Sequence, residues 1–135
     1  GYSYSLMFRV YDPTVETVPS FASTTYIYMG VGGERAPKGT RVGIVNGSVK
    51  TIKNGAFQGC TRMIICLMED GVEVIDDDAF GSCFDLKIIR VSRNLRRIGE
   101  HAFWECCSME ALFLPDTVTE IGDQAFIMCG KMRIV

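Results

Sequence analysis

Cysteines are the residues of this chain with the widest range of possible chemistry. Four of the six recur at a constant interval of 23 residues: Cys60, Cys83, Cys106 and Cys129. A zinc site would need ligand pairs close in sequence, such as Cys-x-x-Cys, or several histidines. The chain has no Cys-x-x-Cys, and its one histidine is His101. We therefore predict no metal site.

A constant interval would place these four cysteines in a row if the chain forms stacked coils. Neighbouring Cα atoms could then lie within the roughly 4.4–6.8 Å that a disulfide requires, so a disulfide between adjacent members is one interpretation. We favour core packing, because an unpaired cysteine behaves as a small buried hydrophobe. Cys66 is expected in the core as well, whereas Cys107 breaks the interval and is the candidate for an exposed reactive thiol.

A nucleophilic cysteine would need a histidine directed towards it and a third polar group behind that histidine. His101 shares its repeat position with Gly55, Asp78 and Gln124, which indicates a solvated rim.

The acidic run at residues 76–78 lacks the ligand spacing of a calcium loop, and we interpret it as the cap of a short helical turn. We predict that the protein is not an enzyme and holds no cofactor.

The composition of the 135 residues indicates one globular domain, with 47% hydrophobic and 22% charged residues. Its 14 Lys and Arg against 16 Asp and Glu, with no basic run, exclude the charge pattern of a nucleic-acid-binding protein. The longest apolar run covers residues 63–68, far below the ~20 residues of a membrane span. The first ten residues lack the pattern of a signal peptide.

A repeat of 23 residues fills the last two thirds of the chain. The dipeptide Ala-Phe marks it at residues 56–57, 79–80, 102–103 and 125–126. Three further positions keep the interval: Ile52, Ile75, Ile98 and Ile121; Val49, Val72, Leu95 and Val118; Met63, Leu86, Met109 and Met132. Columns in register over four copies indicate stacked structural units.

Each unit predicts one short strand and one short helical turn. Met109, Leu112 and Leu114 have the spacing of a strand, and Ala125 and Cys129 lie four residues apart, as on a buried helical turn. Ordering 23 residues costs more free energy than one coil recovers by burial, at ~1–2 kcal/mol for each backbone unit. The coils must therefore stack, with their strands forming a parallel sheet.

The pattern I…IG..AF..C..L at this interval resembles the BspA-like leucine-rich repeats, over roughly residues 40–135. The resemblance implies an α/β repeat fold, a right-handed leucine-rich-repeat-like solenoid with a parallel strand layer and short helical turns. It also implies partner binding without catalysis, and it favours a cell-surface or secreted location. The chain departs from the general leucine-rich pattern in the column Ser48, Gly71, Asn94 and Thr117, where an asparagine ladder would lie.

The extent of the repeat divides the chain into two predicted segments. Residues 40–135 form the predicted solenoid, with about four repeats and the start of a fifth. Residues 1–39 are outside the period and form the predicted N-terminal β cap and entry loop, with strands expected at 6–11 and 24–29. The alternative is a strand remnant of a preceding domain. The strand-like residues 132–135 form an open edge, which could belong to a longer array or allow self-association.

The outward side of the predicted strands is the candidate site. One outward column contains Ile65, Ile88 and Ala111, and a second contains Leu67, Arg90 and Phe113. A continuous apolar stripe of this kind requires a cover. We predict that these six residues bind a protein or peptide partner. The alternatives are that residues 1–39 or further repeats cover the stripe, and that the array is a structural spacer or an adhesion segment without a specific ligand.

Overall fold

A computed structural model describes residues 24–130 and 132–135. The strand predicted at 6–11 lies outside the described residues. The described residues form ten strands: β1 Thr25–Tyr28, β2 Val42–Val45, β3 Thr51–Ile52, β4 Ile65–Met68, β5 Val74–Ile75, β6 Ile88–Arg90, β7 Arg97–Ile98, β8 Ala111–Leu112, β9 Glu120–Ile121 and β10 Arg133–Ile134. The repeat thus contains two short strands, where the sequence predicted one.

All strand pairs are parallel. Partners lie 23 residues apart along β2-β4-β6 and β3-β5-β7-β9, and 22 residues apart between β8 and β10. We call the first strands of the coils the front sheet, which comprises β1-β2-β4-β6 and the pair β8-β10, and we call β3-β5-β7-β9 the side sheet. Coils 1 to 4 are residues 40–62, 63–85, 86–108 and 109–130. The chain is therefore a parallel-strand solenoid of about four turns, which confirms the predicted stack.

The predicted short helical turn is not formed. The described residues contain no helix, so the α/β class and the helical turns were wrong. The segment after each Ala-Phe instead alternates two kinds of hydrogen bond. Cys83 N–H donates back to Phe80 O at 3.3 Å, but Phe80 N–H donates sideways to Ala102 O of the next coil at 2.8 Å. An α-helix would need successive amides to donate along their own segment.

Left-handed backbone conformations produce this alternation. Two positions of each coil have φ between 54° and 75°: Gly55, Asp78, His101 and Gln124 at the first position, and Gly59, Ser82, Glu105 and Met128 at the second. Non-glycine residues in this region cost roughly 1–2 kcal/mol each, and a helix cannot continue through them. Their recurrence shows that the stacked coil imposes the conformation, with the inter-coil hydrogen bonds as compensation.

The core is a column of aromatic rings. Adjacent phenylalanine rings stack nearly parallel, with centroids 5.1 Å, 5.1 Å and 5.4 Å apart along the series Phe57, Phe80, Phe103 and Phe126. The first three are fully buried, whereas Phe126 of coil 4 is only partly buried. The inward strand positions predicted from the sequence, such as Met63 and Met68, are also fully buried. The repeat spacing therefore identified the core correctly.

Tyr28 closes the core at the N-terminal side of coil 1. Its ring lies 5.5 Å from that of Phe57, which extends the aromatic column. Its hydroxyl oxygen accepts the N–H of Lys53 at 3.2 Å. In later coils the corresponding amides, including that of Asp76, donate to a backbone carbonyl of the preceding coil. Tyr28 thus supplies coil 1 with a ring and an acceptor of the kind that each later coil receives from the coil before it, while the boundary at residue 39 stays a prediction.

The column cysteines bind the coils together as hydrogen-bond donors. The thiol donates to a phenylalanine carbonyl of the preceding coil in three pairs: Cys83 to Phe57 at 3.2 Å, Cys106 to Phe80 at 3.2 Å and Cys129 to Phe103 at 3.0 Å. All six cysteines are free, which supports packing over disulfides. Burial raises the pKa of Cys60 and of Cys129 to about 11. A hydrogen bond with the Cys106 thiol, together with burial, raises the pKa of Cys83.

Truncation of the aromatic column should depend on position. Phe103→Ala removes a ring that is stacked on both sides and should lower the free energy of unfolding by ~3–5 kcal/mol, a large part of a small domain's stability. Phe126→Ala removes the same atoms from a partly exposed site with one stacked neighbour, and should cost less than about half as much. Urea unfolding followed by circular dichroism measures both values, and equal losses would contradict the stacked core.

Thiol reactivity should separate Cys107 from the other five cysteines. Cys107 is exposed, whereas the others are buried, and only the thiolate of an accessible cysteine attacks a disulfide reagent. With Ellman's reagent at pH 8, the native protein should release one equivalent quickly and six after unfolding. Cys107→Ser should remove the fast phase and leave five. Two or four thiols after unfolding without reductant would instead establish disulfides.

Candidate functional site

The predicted partner-binding residues lie on the front sheet, but they do not form one exposed stripe. Ile88 is 54% exposed and Phe113 is 67% exposed, as the sequence predicted. Leu67 is 2% exposed and Arg90 is 7% exposed, which contradicts the expectation of a continuous outward surface. The two remaining residues, Ile65 and Ala111, are half-buried. The exposed apolar surface among these six is therefore confined to coils 3 and 4.

Arg90 is held by the protein's own acceptors. Its guanidinium donates through Nη1 to Met68 O and lies 3.0 Å from Asp70 Oδ1 through Nη2. The same carboxylate oxygen accepts the backbone N–H of Arg93 at 3.0 Å. This backbone hydrogen bond and the Arg90 charge hold the pKa of Asp70 below its usual value. Arg90 is thus an internal cross-link between coils 2 and 3, and the sequence pattern gave no sign of this role.

The front sheet is interrupted between coils 3 and 4. One hydrogen bond recurs at each coil boundary: Ile64 N–H donates to Arg41 O at 2.8 Å, and Lys87 N–H donates to Ile64 O at 2.9 Å. After coil 4, Arg133 N–H donates to Glu110 O at 2.9 Å. Within the described ranges, the remaining member of this series, from Glu110 N–H to Lys87 O, is not formed, and β6 and β8 do not pair with each other.

The same boundary is closed on its other sides. In the side sheet, Gly122 N–H donates to Ile98 O at 2.7 Å, matching the 2.7 Å bond of the preceding boundary. In the turn segment, Phe103 N–H donates to Ala125 O at 2.8 Å, and the phenylalanine stack continues to coil 4. Coils 3 and 4 therefore separate only at the front.

The opening forms a cavity of about 530 Å³, lined among others by Lys87, Ile88, Glu110, Ala111 and Phe113. A second cavity of about 260 Å³ shares Phe113 and Ile89 with the first, and its lining includes Arg90, Arg93 and Pro115. The structure thus brings together Ile88, Ala111 and Phe113 in one cavity, with Arg90 in the next. Ile65 and Leu67 line neither of these two cavities.

Two residues of coil 4 depart from the repeat at the opening. Ala111 has the shortest side chain of its repeat column, whose members Ile65 and Ile88 pair on adjacent strands, and its own partner on β10 is Arg133. Pro115 lies 46 residues after Glu69, whose N–H donates to Val45 O at 3.2 Å. Proline has no N–H and cannot form this strand-end bond to coil 3. Both departures are readable in the sequence once the columns are aligned.

The other candidate catalytic and metal-binding residues do not form a common site in the described part of the chain. The ring of His101 forms a hydrogen bond with Gln124 at 2.7 Å, and it lies 3.6 Å from a carboxylate oxygen of Glu100. Within residues 24–130 and 132–135, no three side chains of the histidine, cysteine, aspartate and glutamate types lie close enough to hold a metal ion. The same residues include no helix of the length and apolarity needed to cross a membrane.

The solved structures that resemble this chain are leucine-rich repeat proteins. A leucine-rich repeat protein from Bacteroides ovatus has a TM-score of 0.70 and 26% identity, covering 87% of this chain and 34% of that one. A leucine rich cell surface protein from Faecalibacterium prausnitzii has a TM-score of 0.71 and 27% identity, covering 78% and 30%. This chain therefore spans about a third of either length. The T. pallidum leucine-rich repeat protein, at 21% identity and a TM-score of 0.60, shows the fold alone.

The family comparison is decisive for identity. No curated protein sequence matches this chain. The model of the BspA type leucine rich repeat region, with six copies, matches residues 40–135, which confirms the resemblance in the repeat pattern. Because this match covers more than half of the sequence, the chain belongs to the BspA-type leucine-rich repeat family.

Proposed function

We propose that this protein is a non-catalytic interaction module that binds a protein or peptide partner at the front of coils 3 and 4. The observation that carries this proposal is the pair of exposed apolar side chains, Ile88 and Phe113, at the cavity between the two coils. Clustered exposed apolar groups beside a concavity are typical of interaction sites, and aromatic residues often dominate the binding energy.

The contacts divide the six predicted residues by role. Ile88, Ala111 and Phe113 line the larger cavity and would contact the partner directly. Arg90 is a positioning residue, because its guanidinium holds the end of strand β4 in coil 2 through Met68 and Asp70. Leu67 is buried and serves the fold. Ile65 is half-buried on the strand next to Ile88 and would lie at the margin of the site.

The comparisons support a surface role. One similar structure is described as a leucine rich cell surface protein, and proteins of this family and fold are generally non-catalytic. By this resemblance, a cell-surface or secreted location is part of the proposal. No nucleic-acid partner is proposed, since the chain has a net charge of −2 and no basic run.

A second binding mode is favoured by the outer side of coil 4. Ile121 and Ile134, on strands β9 and β10, and Met128 in the turn segment are all exposed. Strand edges with exposed apolar side chains pair readily with another strand. Self-association through this edge would therefore be independent of the cavity. A structural spacer is the alternative to both modes.

Phe113→Asp tests the proposed face. The charge replaces a side chain that is 67% exposed, so the melting temperature should change by only a few degrees. Peptides selected from a displayed random library on the unchanged protein should lose binding to this variant. Phe84→Asp is the matched control, because Phe84 is an exposed phenylalanine outside both cavities, and its variant should retain binding.

Two results would contradict the proposal. Unfolding of Phe113→Asp would show that the front is internal core, which favours the spacer interpretation. Selected peptides that bind Phe113→Asp and the unchanged protein equally would place any binding elsewhere. Sedimentation of both proteins distinguishes self-association from peptide binding.

A further inference from the structure

We infer that the opening between β6 and β8 binds an extended peptide strand, which runs parallel to the two strands and carries a bulky apolar residue followed by an acidic one. This inference rests on the proposed function and specifies the partner of the same face. It derives from three features of the opening: its unpaired backbone, its shape and its charge.

The backbone of the opening is suited to another strand. At neighbouring boundaries, the hydrogen bonds from Ile64 to Arg41 and from Lys87 to Ile64 hold the front strands together. At this boundary the Glu110 amide and the Lys87 carbonyl do not meet. An extended peptide supplies backbone acceptors and donors at the spacing of a strand edge, so it can pair where the ladder stops. A sugar or a lipid chain has no such regular series of amides.

The shape of the opening selects a large apolar side chain. Ala111 occupies the repeat position of Ile65 and Ile88, and its partner on β10 is Arg133. The front of coil 4 therefore has a methyl group where coils 2 and 3 have isoleucine, which leaves space for a further aliphatic or aromatic group. The cavity of about 530 Å³ falls within the roughly 300–1,000 Å³ typical of ligand pockets. Ile88 and the exposed Phe113 provide apolar contacts at its rim.

The charges set the direction of the peptide. The larger cavity includes both Lys87 and Glu110, whose charges balance. The smaller cavity lies towards the carboxyl ends of the strands, and its charged lining residues are Arg90 and Arg93. Arg90 is 3.0 Å from the Asp70 carboxylate, whereas the Arg93 guanidinium is 3.9 Å away and 67% exposed. A parallel strand would therefore direct an acidic residue, placed after its apolar one, towards Arg93.

The sharpest test fills the cavity with the side chain that neighbouring coils already use. A displayed library of random heptapeptides is selected on the unchanged protein, and enriched peptides are measured against Ala111→Ile by fluorescence anisotropy. Isoleucine occupies the same repeat position in coils 2 and 3, at Ile65 and Ile88, so the variant should fold. We expect peptides with an apolar residue followed by an acidic one, and at least roughly tenfold weaker binding to Ala111→Ile. Val74→Ile, on the side sheet, should bind normally.

One further variant and one modified peptide test the charge and the backbone separately. Arg93→Glu should weaken the binding of peptides with an acidic residue and strengthen the binding of versions with lysine at that position. N-methylation of alternate backbone amides in an enriched peptide should abolish binding if those amides face a strand, because methylation removes the donors. Methylated peptides that bind with full affinity at either register would contradict strand pairing.

The outcomes distinguish this inference from the proposed function. Peptides that lose affinity for Phe113→Asp but bind Ala111→Ile normally would overturn the strand in the opening and leave the front face as a binding site. Peptides that are insensitive to both substitutions would overturn both proposals. If selection on the unchanged protein enriches no peptide more strongly than selection on Ala111→Ile does, the inserted strand is overturned.

Discussion

Contact between successive coils is the interaction on which the whole structure depends. A coil of 23 residues cannot offset the loss of its conformational entropy alone. In coils 1 to 3, the amides of Phe57, Phe80 and Phe103 donate to carbonyls of the following coil. The aromatic rings of the same residues stack between coils at 5.1–5.4 Å. Hydrogen bonding and apolar burial thus operate along one axis, and stability arises from neighbours, as in other repeat proteins.

This dependence explains the unusual backbone of the turn segments. Asp78, Ser82 and His101 adopt left-handed conformations that most residues avoid. The cost is tolerated because the conformation directs alternate amides to the next coil, where backbone acceptors are available. On the N-terminal side of coil 1, Tyr28 provides a stacked ring and a hydroxyl acceptor. The site arises from the same rule, since the described residues of coils 3 and 4 meet in the side sheet and in the turn segment but not at the front.

The sequence was sufficient for the parts of the fold that follow from repetition. Identical columns predicted the stack, the inward Met63 and Met68, and the burial of the column cysteines. The type of turn was not predictable from spacing, because a four-residue interval fits both a helical turn and a turn with two left-handed residues. Column composition was the missed signal, since glycine, aspartate and histidine at Gly55, Asp78 and His101 are residue types that favour positive φ.

The candidate site was predicted in outline only. Alternation along a strand placed Ile88 and Phe113 outward, and both are exposed. It placed Leu67 and Arg90 outward as well, but burial depends on what packs against an outward side chain, which alternation does not reveal. Arg90 in addition has an acceptor at Met68 O and a charge partner at Asp70, both from a different coil. Departures from the columns, at Ala111 and Pro115, were the better indicators of the site.

Amide hydrogen exchange, measured by NMR on the free protein, tests the central claim most directly. The account predicts that Glu110, which lacks its partner across the opening, exchanges faster than Lys87 by on the order of a hundredfold or more. Gly122 and Phe103, whose amides cross the same boundary at the side and in the turn, should remain protected. Protection of Glu110 equal to that of Phe103 and Gly122 would show a continuous front sheet and contradict the account.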